Sequence, residues 1–293
     1  MLLLNACNTK EKQQSLTVNT PKEQSPYLGQ EPPGLTPIAF APGMVTTSGW
    51  EYGGTFTPDL KEFYFLREVG ETEEDKKMEF VVFENKNNQW QKSVVSPRVG
   101  QPFIAPNGKT MHLGKRYKER TETGDWSEIK KLDSSFQEIK IMRLTASSKG
   151  TYVFDEIGMP AGDGVLRYSE FVDGKRGAPK AFGKEINTGR MNAHPFIAPD
   201  ESYLLWDGER DSGYGDSDIY ISFKQQDGTW GEAINLGDKV NTDAWEAAST
   251  VTPDGKYLFF NRNIGTDDYE NVDIYWVDFM QLKKELLKKE NID

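Results

Sequence analysis

One cysteine, Cys7, stands in a chain of 293 residues, so an internal disulfide and a cysteine zinc cluster are both excluded. Histidine is nearly as scarce: His112 and His194 are the only two, which leaves few groups for acid–base work near neutrality. Basic charge is in the minority, with 35 Lys and Arg against 46 Asp and Glu and a formal net charge of −11. Such a surface does not coat nucleic acid, which is held by cations that displace its counterions, and it is not drawn to anionic lipid. No segment offers the roughly 20 apolar residues of a membrane-spanning helix. There is no Gly-x-Ser-x-Gly elbow, no His-Glu-x-x-His pair and no glycine loop to cradle a phosphate, so the usual parts of hydrolase chemistry are missing. What is present suits a folded body: 36% hydrophobic residues, 12% aromatics and 27 glycines can build a core and many turns.

Self-similarity is the strongest signal. Five nine-residue blocks superpose: TPDLKEFYF (57–65), APNGKTMHL (105–113), ASSKGTYVF (146–154), APDESYLLW (198–206) and TPDGKYLFF (252–260). Their second residues fall at 58, 106, 147, 199 and 253, in steps of 48, 41, 52 and 54, the spacing of propeller blades. Within a block, proline sets φ for the first turn position and Asp-Gly or Asn-Gly tightens the turn. The apolar run that follows, such as Tyr257-Leu258-Phe259-Phe260, is too short for a helix and too continuous for a one-sided strand, so it reads as a strand covered on both faces. A matching strand precedes each turn, as in Ala248–Val251 and His194–Ile197. A third follows, as in Asp218–Ser222 and Asp273–Val277, and a fourth comes after a turn and a tryptophan, as in Glu232–Leu236. Four strands per unit make one blade.

The proline turn with its apolar strand, the Asp-Ile-Tyr strand and the Gly-x-Trp-x-x-Ala-x-x-Leu segment resemble the WD40-like (PD40) repeats of TolB-type β-propellers, over roughly residues 37–279. The copies at 199 and 253 match the pattern best, those at 58 and 106 match it well, and the one at 147 has lost its proline and its Asp-Gly pair. The fifth unit lacks a fourth strand, because the chain from Met280 onward takes up helical spacing. The stretch Pro37–Thr47 is a fourth strand without a blade of its own. Pairing the two removes the open edges. The expectation is an all-β, five-bladed β-propeller of four-stranded antiparallel blades, closed Velcro-fashion by the N-terminal strand, over 37–279, with a short C-terminal helix over 280–293. A six-bladed ring is the alternative, and it lacks a sixth unit in the sequence.

The first residues suggest an address. Leu4-Asn5-Ala6-Cys7 resembles the lipobox of bacterial lipoproteins, which implies lipidation of Cys7 after cleavage before it. The basic start and the apolar run of about 7–15 residues of a full export signal are not present, so 1–7 is expected to be a remnant of one. Residues 8–36, polar and rich in Lys, Gln, Ser and Pro, are expected to be a flexible tether. The implied location is the bacterial cell envelope, periplasmic or anchored at the outer membrane, with membrane contact only through the lipid on Cys7.

In a propeller, the loops entering the inner strands share a face with the loops between second and third strands. That face carries Trp50 and Glu51, Asn192 and His194, and Trp245 and Glu246, together with Arg67, Arg116, Arg210 and Arg262 after their second strands. Counted back from the marker of each block, Glu51, Asn192 and Glu246 stand at seven, and Gln101 and His194 at five. Side chains there can surround a channel mouth and bind a protein, peptide or glycan. They can equally act as braces between blades. Glu51, His194 and Glu246 are the candidate catalytic groups for the alternative, a glycan-active hydrolase or lyase. His112, inside an apolar strand, reads as a packed core group. No cofactor is expected. The loop Asp207–Asp218 holds enough oxygens for a structural calcium ion without matching an EF-hand, and its plainer reading has Asp218 and Asp273 bracing Arg210 and Arg262.

Overall fold

The structure, a computed structural model, describes residues 25–290 apart from 71, 73 and 160–162. Each blade is a four-stranded antiparallel sheet, and in the first four the strands follow chain order from the axis outward. Blade 1 comprises Glu51–Phe56, Glu62–Val69, Lys77–Lys86 and Gln89–Pro97. Blade 2 comprises Pro102–Ile104, Thr110–Leu113, Arg116–Glu119 and Lys130–Lys131. Blade 3, whose turn block has drifted furthest, is complete: Leu144–Ala146, Tyr152–Met159, Asp163–Ser169 and Lys180–Ala181. Blade 4 comprises Arg190–Ile197, Tyr203–Glu209, Asp218–Phe223 and Ile234–Asn235. Blade 5 supplies Glu246–Val251, Tyr257–Asn263 and Val272–Asp278, and takes Ile38–Ala39 as its outer strand. The ring is five-bladed, with the front segment as its fastener.

The apolar runs feed two cores at once because side chains alternate across a strand. In Tyr257–Asn263, Leu258 and Phe260 pack toward blade 4 with Leu205 and Ile219. Phe259 packs toward blade 1 with Phe40, Phe63 and Trp276. Near the axis the strands crowd and side chains must be small. A Cβ at Gly54 would sit 2.7 Å from the Phe63 ring, and Ala247-Ala248-Ser249 occupies the same level in blade 5.

Closure depends more on rings than on ladder pairs. Only Ile38↔Trp276 and Ala39↔Tyr275 are in register. The next residue, Phe40, is fully buried and meets Phe63, Phe259 and Trp276 edge-on at 5.1, 4.7 and 5.2 Å. Burial of one such ring contributes about 1.5–3 kcal/mol. The packed region also begins earlier than the sequence suggests. Tyr27 and Leu28 are buried, and the Tyr27 hydroxyl donates to Asp254 at 2.5 Å. The tether expected over 8–36 is therefore docked from residue 25 on, because two large apolar side chains in its distal part find a groove beside Trp276. Cys7 and the rest of that stretch lie outside the described residues. At the other end, Phe279–Glu290 is helical. Its Phe279, Leu282 and Leu286 fall on one face and pack beside Tyr203, as helical spacing requires.

Candidate ligand site at the channel mouth

A repeated backbone irregularity builds one end of the channel. The inner strands of blades 1, 4 and 5 break register at Tyr52/Thr55, Ala193/Phe196 and Ala247/Thr250. Gly53, His194 and Ala248, each five residues before its marker, adopt left-handed φ values of 69°, 48° and 53°. For His194 and Ala248 that conformation is strained and must be held by its surroundings. The preceding blade holds it. Asp155 accepts the His194 N–H at 3.1 Å, Asp207 accepts the Ala248 N–H at 2.8 Å, and Asn261 accepts the Gly53 N–H at 3.1 Å. These three acceptors stand eight residues after their markers, where blades 1 and 2 have Leu66 and Gly114, which cannot accept. The chain of cross-blade braces is therefore interrupted around blade 2.

His194 gathers the polar cluster. Its Nδ1 lies 2.9 and 3.0 Å from the two Asp207 oxygens, and its Nε2 lies 3.0 Å from the Tyr52 hydroxyl. Burial pushes the imidazole pKa down, but Asp207 and Asp155 outweigh it and hold it above 6.5. Burial raises the Asp155 carboxyl, against the pull of His194 and three backbone N–H donors. Arg143 joins this group: burial lowers its pKa while Tyr52, Asp207 and Asp155 counteract. It is 1% exposed, and its Nε and one terminal nitrogen have no hydrogen-bond partner. Sequence reading missed Arg143. The signal was the column four residues before each marker, which reads Gly54, Pro102, Arg143, Pro195 and Ser249.

Above this cluster lies an aromatic stack. The Tyr52 ring is sandwiched between Trp50 at 4.9 Å and Trp245 at 6.1 Å, both nearly parallel to it, and Tyr269 meets Trp245 edge-on at 5.5 Å. Trp50 and Trp245 are half-buried. Glu51 and Glu246, beside them, are both turned back on their own loops. Glu51 accepts from the Thr47 N–H at 3.0 Å and hydroxyl at 2.6 Å. Glu246 accepts from Thr242 at 2.9 and 2.6 Å and pairs with Arg262 at 2.7 Å. Burial raises both carboxyl pKa values, and these bonds oppose the rise. Asn192 accepts from the Trp206 indole at 3.3 Å. Gln101 is buried, with its Oε1 unpartnered.

The four arginines divide. Arg67 and Arg262 lie within second strands, opposite Glu51 and Glu246 in register, rather than after them. Arg67 pairs with Glu79 at 2.8 Å. Arg210 lies over the Tyr220 ring at 4.3 Å, and Arg116 donates to the Val99 carbonyl. The bracing expected of Asp218 and Asp273 is not what the structure has. Asp218 accepts from the Tyr214 N–H and from Asn235, at 2.8 and 2.7 Å. Asp273, although opposite Arg262 in register, turns to Glu51: burial and that neighbouring carboxylate push its pKa up to about 6. Arg262 has chosen the longer glutamate arm on its other flank. Among the described residues no three His, Cys, Asp or Glu side chains are grouped to hold a metal ion, and Asp207 and Asp218 serve separate partners. His112 is buried against Tyr152, and burial lowers its pKa to about 3.

The five four-stranded sheets close into a β-propeller. No family model matches the chain, and no curated protein does. Solved structures are similar to it over most of the chain. TolB from Acinetobacter baumannii is 13% identical over 79% of this chain, with a TM-score of 0.47, and the chain spans 57% of that protein's length. An α-L-arabinofuranosidase from Lactobacillus brevis is 12% identical, over 78% of this chain and 89% of that one, with a TM-score of 0.45. A gluconolactonase from Xanthomonas campestris is 9% identical, over 79% and 86%, with a TM-score of 0.44. At these identities the likeness is one of fold alone. Among the described residues no helix is long and apolar enough to cross a membrane.

Proposed function

We propose that the protein is an exported, lipid-anchored binding module that uses its channel-mouth face to hold a protein, peptide or glycan of the cell envelope. The observation that carries this reading is the pairing of two half-exposed indoles, Trp50 and Trp245, with deeper polar groups left unpartnered. Three to four residues further along the inner strands, Gln101 Oε1 and the Arg143 guanidinium are buried without full hydrogen bonding. Apolar walls above a few convergent polar groups are what a ligand site offers, and an unmet buried group favours whatever completes it. The alternative, a glycan-active hydrolase or lyase on Glu51, Glu246 and His194, has less support, because each carboxylate is bonded on both oxygens to its own loop. Export rests on the lipobox resemblance at Cys7.

The test is a thermal-shift screen of sugars and peptides, followed by calorimetric titration of each hit against Trp245→Ala and Trp50→Ala. A hit weakened at least tenfold by either change supports the reading. Hits indifferent to both would sink it. For the anchor, mass spectrometry of the protein from a bacterial membrane fraction should find diacylglycerol on Cys7, and its absence there overturns that part alone.

A further inference from the structure

The interruption of the brace ring around blade 2 coincides with a cleft on the same face. Between blades 2 and 3 a cavity of about 490 Å³ is lined by Arg98, Lys115, Arg116 and Lys131, with no carboxylate in its wall. In a chain of net charge −11 this is a local reversal of sign. Among the described residues none of the four cations is paired with an acid. Lys115 donates to the Gln137 carbonyl at 2.6 Å and Arg116 to that of Val99, both neutral acceptors. Close walls are enforced from behind: a Cβ at Gly100 would sit 2.7 Å from the Leu113 carbonyl, and one at Gly114 2.8 Å from that of Ile141. Four like charges along a concave wall repel one another and concentrate anions.

Gln101 lines the same cavity, 4% exposed, with its Oε1 lacking a donor. A bare anion relieves the cations but cannot satisfy a carbonyl oxygen, which needs an O–H or N–H. The ligand that meets both demands carries a negative group beside hydroxyls. The cavity is within the size range of small-molecule sites. We propose that this cleft binds an acidic sugar, its carboxylate or phosphate held by Arg98, Lys115, Arg116 and Lys131 and one hydroxyl donating to Gln101 Oε1. This goes beyond the binding reading above: it places a ligand of stated class in a separate cleft of the same face, judged by Lys131 and Gln101 rather than by Trp50 and Trp245.

The experiment is calorimetric titration of the full chain at low salt with glucuronate, glucose 6-phosphate, glucose, inorganic phosphate and a tetraglutamate peptide, repeated on Lys131→Glu, Gln101→Leu and Trp245→Ala. One or both acidic sugars should bind at least tenfold more tightly than glucose and inorganic phosphate, and the tighter of the two identifies the anionic group. Lys131→Glu, at an exposed position that leaves folding intact, should weaken that binding at least tenfold and steepen no other loss; Gln101→Leu should bring the acidic sugar down to the level of inorganic phosphate. Inorganic phosphate binding as tightly as the acidic sugars, tetraglutamate binding in their place, or no binding that Lys131→Glu alters, each overturns the proposal. A ligand lost in Trp245→Ala but kept in Lys131→Glu would overturn it while leaving the channel-mouth reading intact.

Discussion

His194 reaches across the channel axis: its Nε2 lies 3.0 Å from the hydroxyl of Tyr52, which belongs to blade 1, and blade 5 stands between their blades in the ring. With Nδ1–H donating to Asp207, the neutral imidazole accepts the tyrosine O–H at Nε2, and the protonated ring donates to the same oxygen. Tyr52 therefore partners both states. Replacing it by phenylalanine leaves a buried nitrogen unmet in either, at about 1–3 kcal/mol. Urea denaturation of Tyr52→Phe should show that loss at both pH 5.5 and pH 8; an unchanged midpoint would mean that the bond contributes nothing. The His194 contribution itself has a sign. Its pKa is raised above 6.5, so the stability it adds is complete below that value and is lost as pH rises through its folded-state value.

Glu246 is fully buried and Arg262 is its charge partner at 2.7 Å. Removing one member strands the other in a poor dielectric, which destabilises by about 3–5 kcal/mol. Arg262→Met should lose that much in a denaturant titration. The exposed pair of Lys130 and Glu119 is the control, since solvent screens it and Lys130→Met should leave the denaturation midpoint where it is.

The blades were legible because each signal was local: a proline turn, a short run of apolar residues, and a tryptophan before the fourth strand. The closing strand was legible by the same logic, since blade 5 visibly lacked an edge. What escaped depended on contacts between blades. Arg262 faces Glu246 on one side and Asp273 on the other in register, and sequence cannot say which arm it takes. The His194 and Tyr52 bond needs the left-handed bulge that turns His194 toward the axis, and a single sequence does not display φ. Gln101 was singled out by its offset, but that its oxygen is buried without a donor depends on which side chains the neighbouring blades bring to it, and a single sequence does not show that.

His112 gives the fold an acid weakness. Burial holds its pKa at about 3 against 6.5, so the unfolded chain takes up its proton first as pH falls. The depressed group contributes stability that is present above 6.5 and lost below it, by about 1.4 kcal/mol per pH unit until the folded value is reached. His112→Phe keeps a ring against Tyr152 at that buried site and cannot titrate. Its denaturation midpoint should fall less steeply than that of the parent between pH 6.5 and 4, and parallel curves would show that His112 is not the group responsible.

Asp273 and Glu51 set the opposite slope. The Asp273 pKa stands at about 6 against an ordinary 3.8, chiefly through burial and then through the neighbouring Glu51 carboxylate. A raised acid adds stability in full below 3.8 and loses it as pH rises through about 6, where both carboxylates become charged side by side. Asp273 Oδ1 also has no partner. An amide in its place donates to Glu51 without bringing a second charge. Asp273→Asn should therefore be more stable than the parent by about 1–2 kcal/mol at pH 7.5, a range already reduced for solvent screening. The advantage should vanish near pH 4, where the parent acid holds its own proton. Paired urea titrations at the two pH values decide it: a variant that gains nothing at pH 7.5, or gains equally at both, would show that Asp273 and Glu51 do not share a proton.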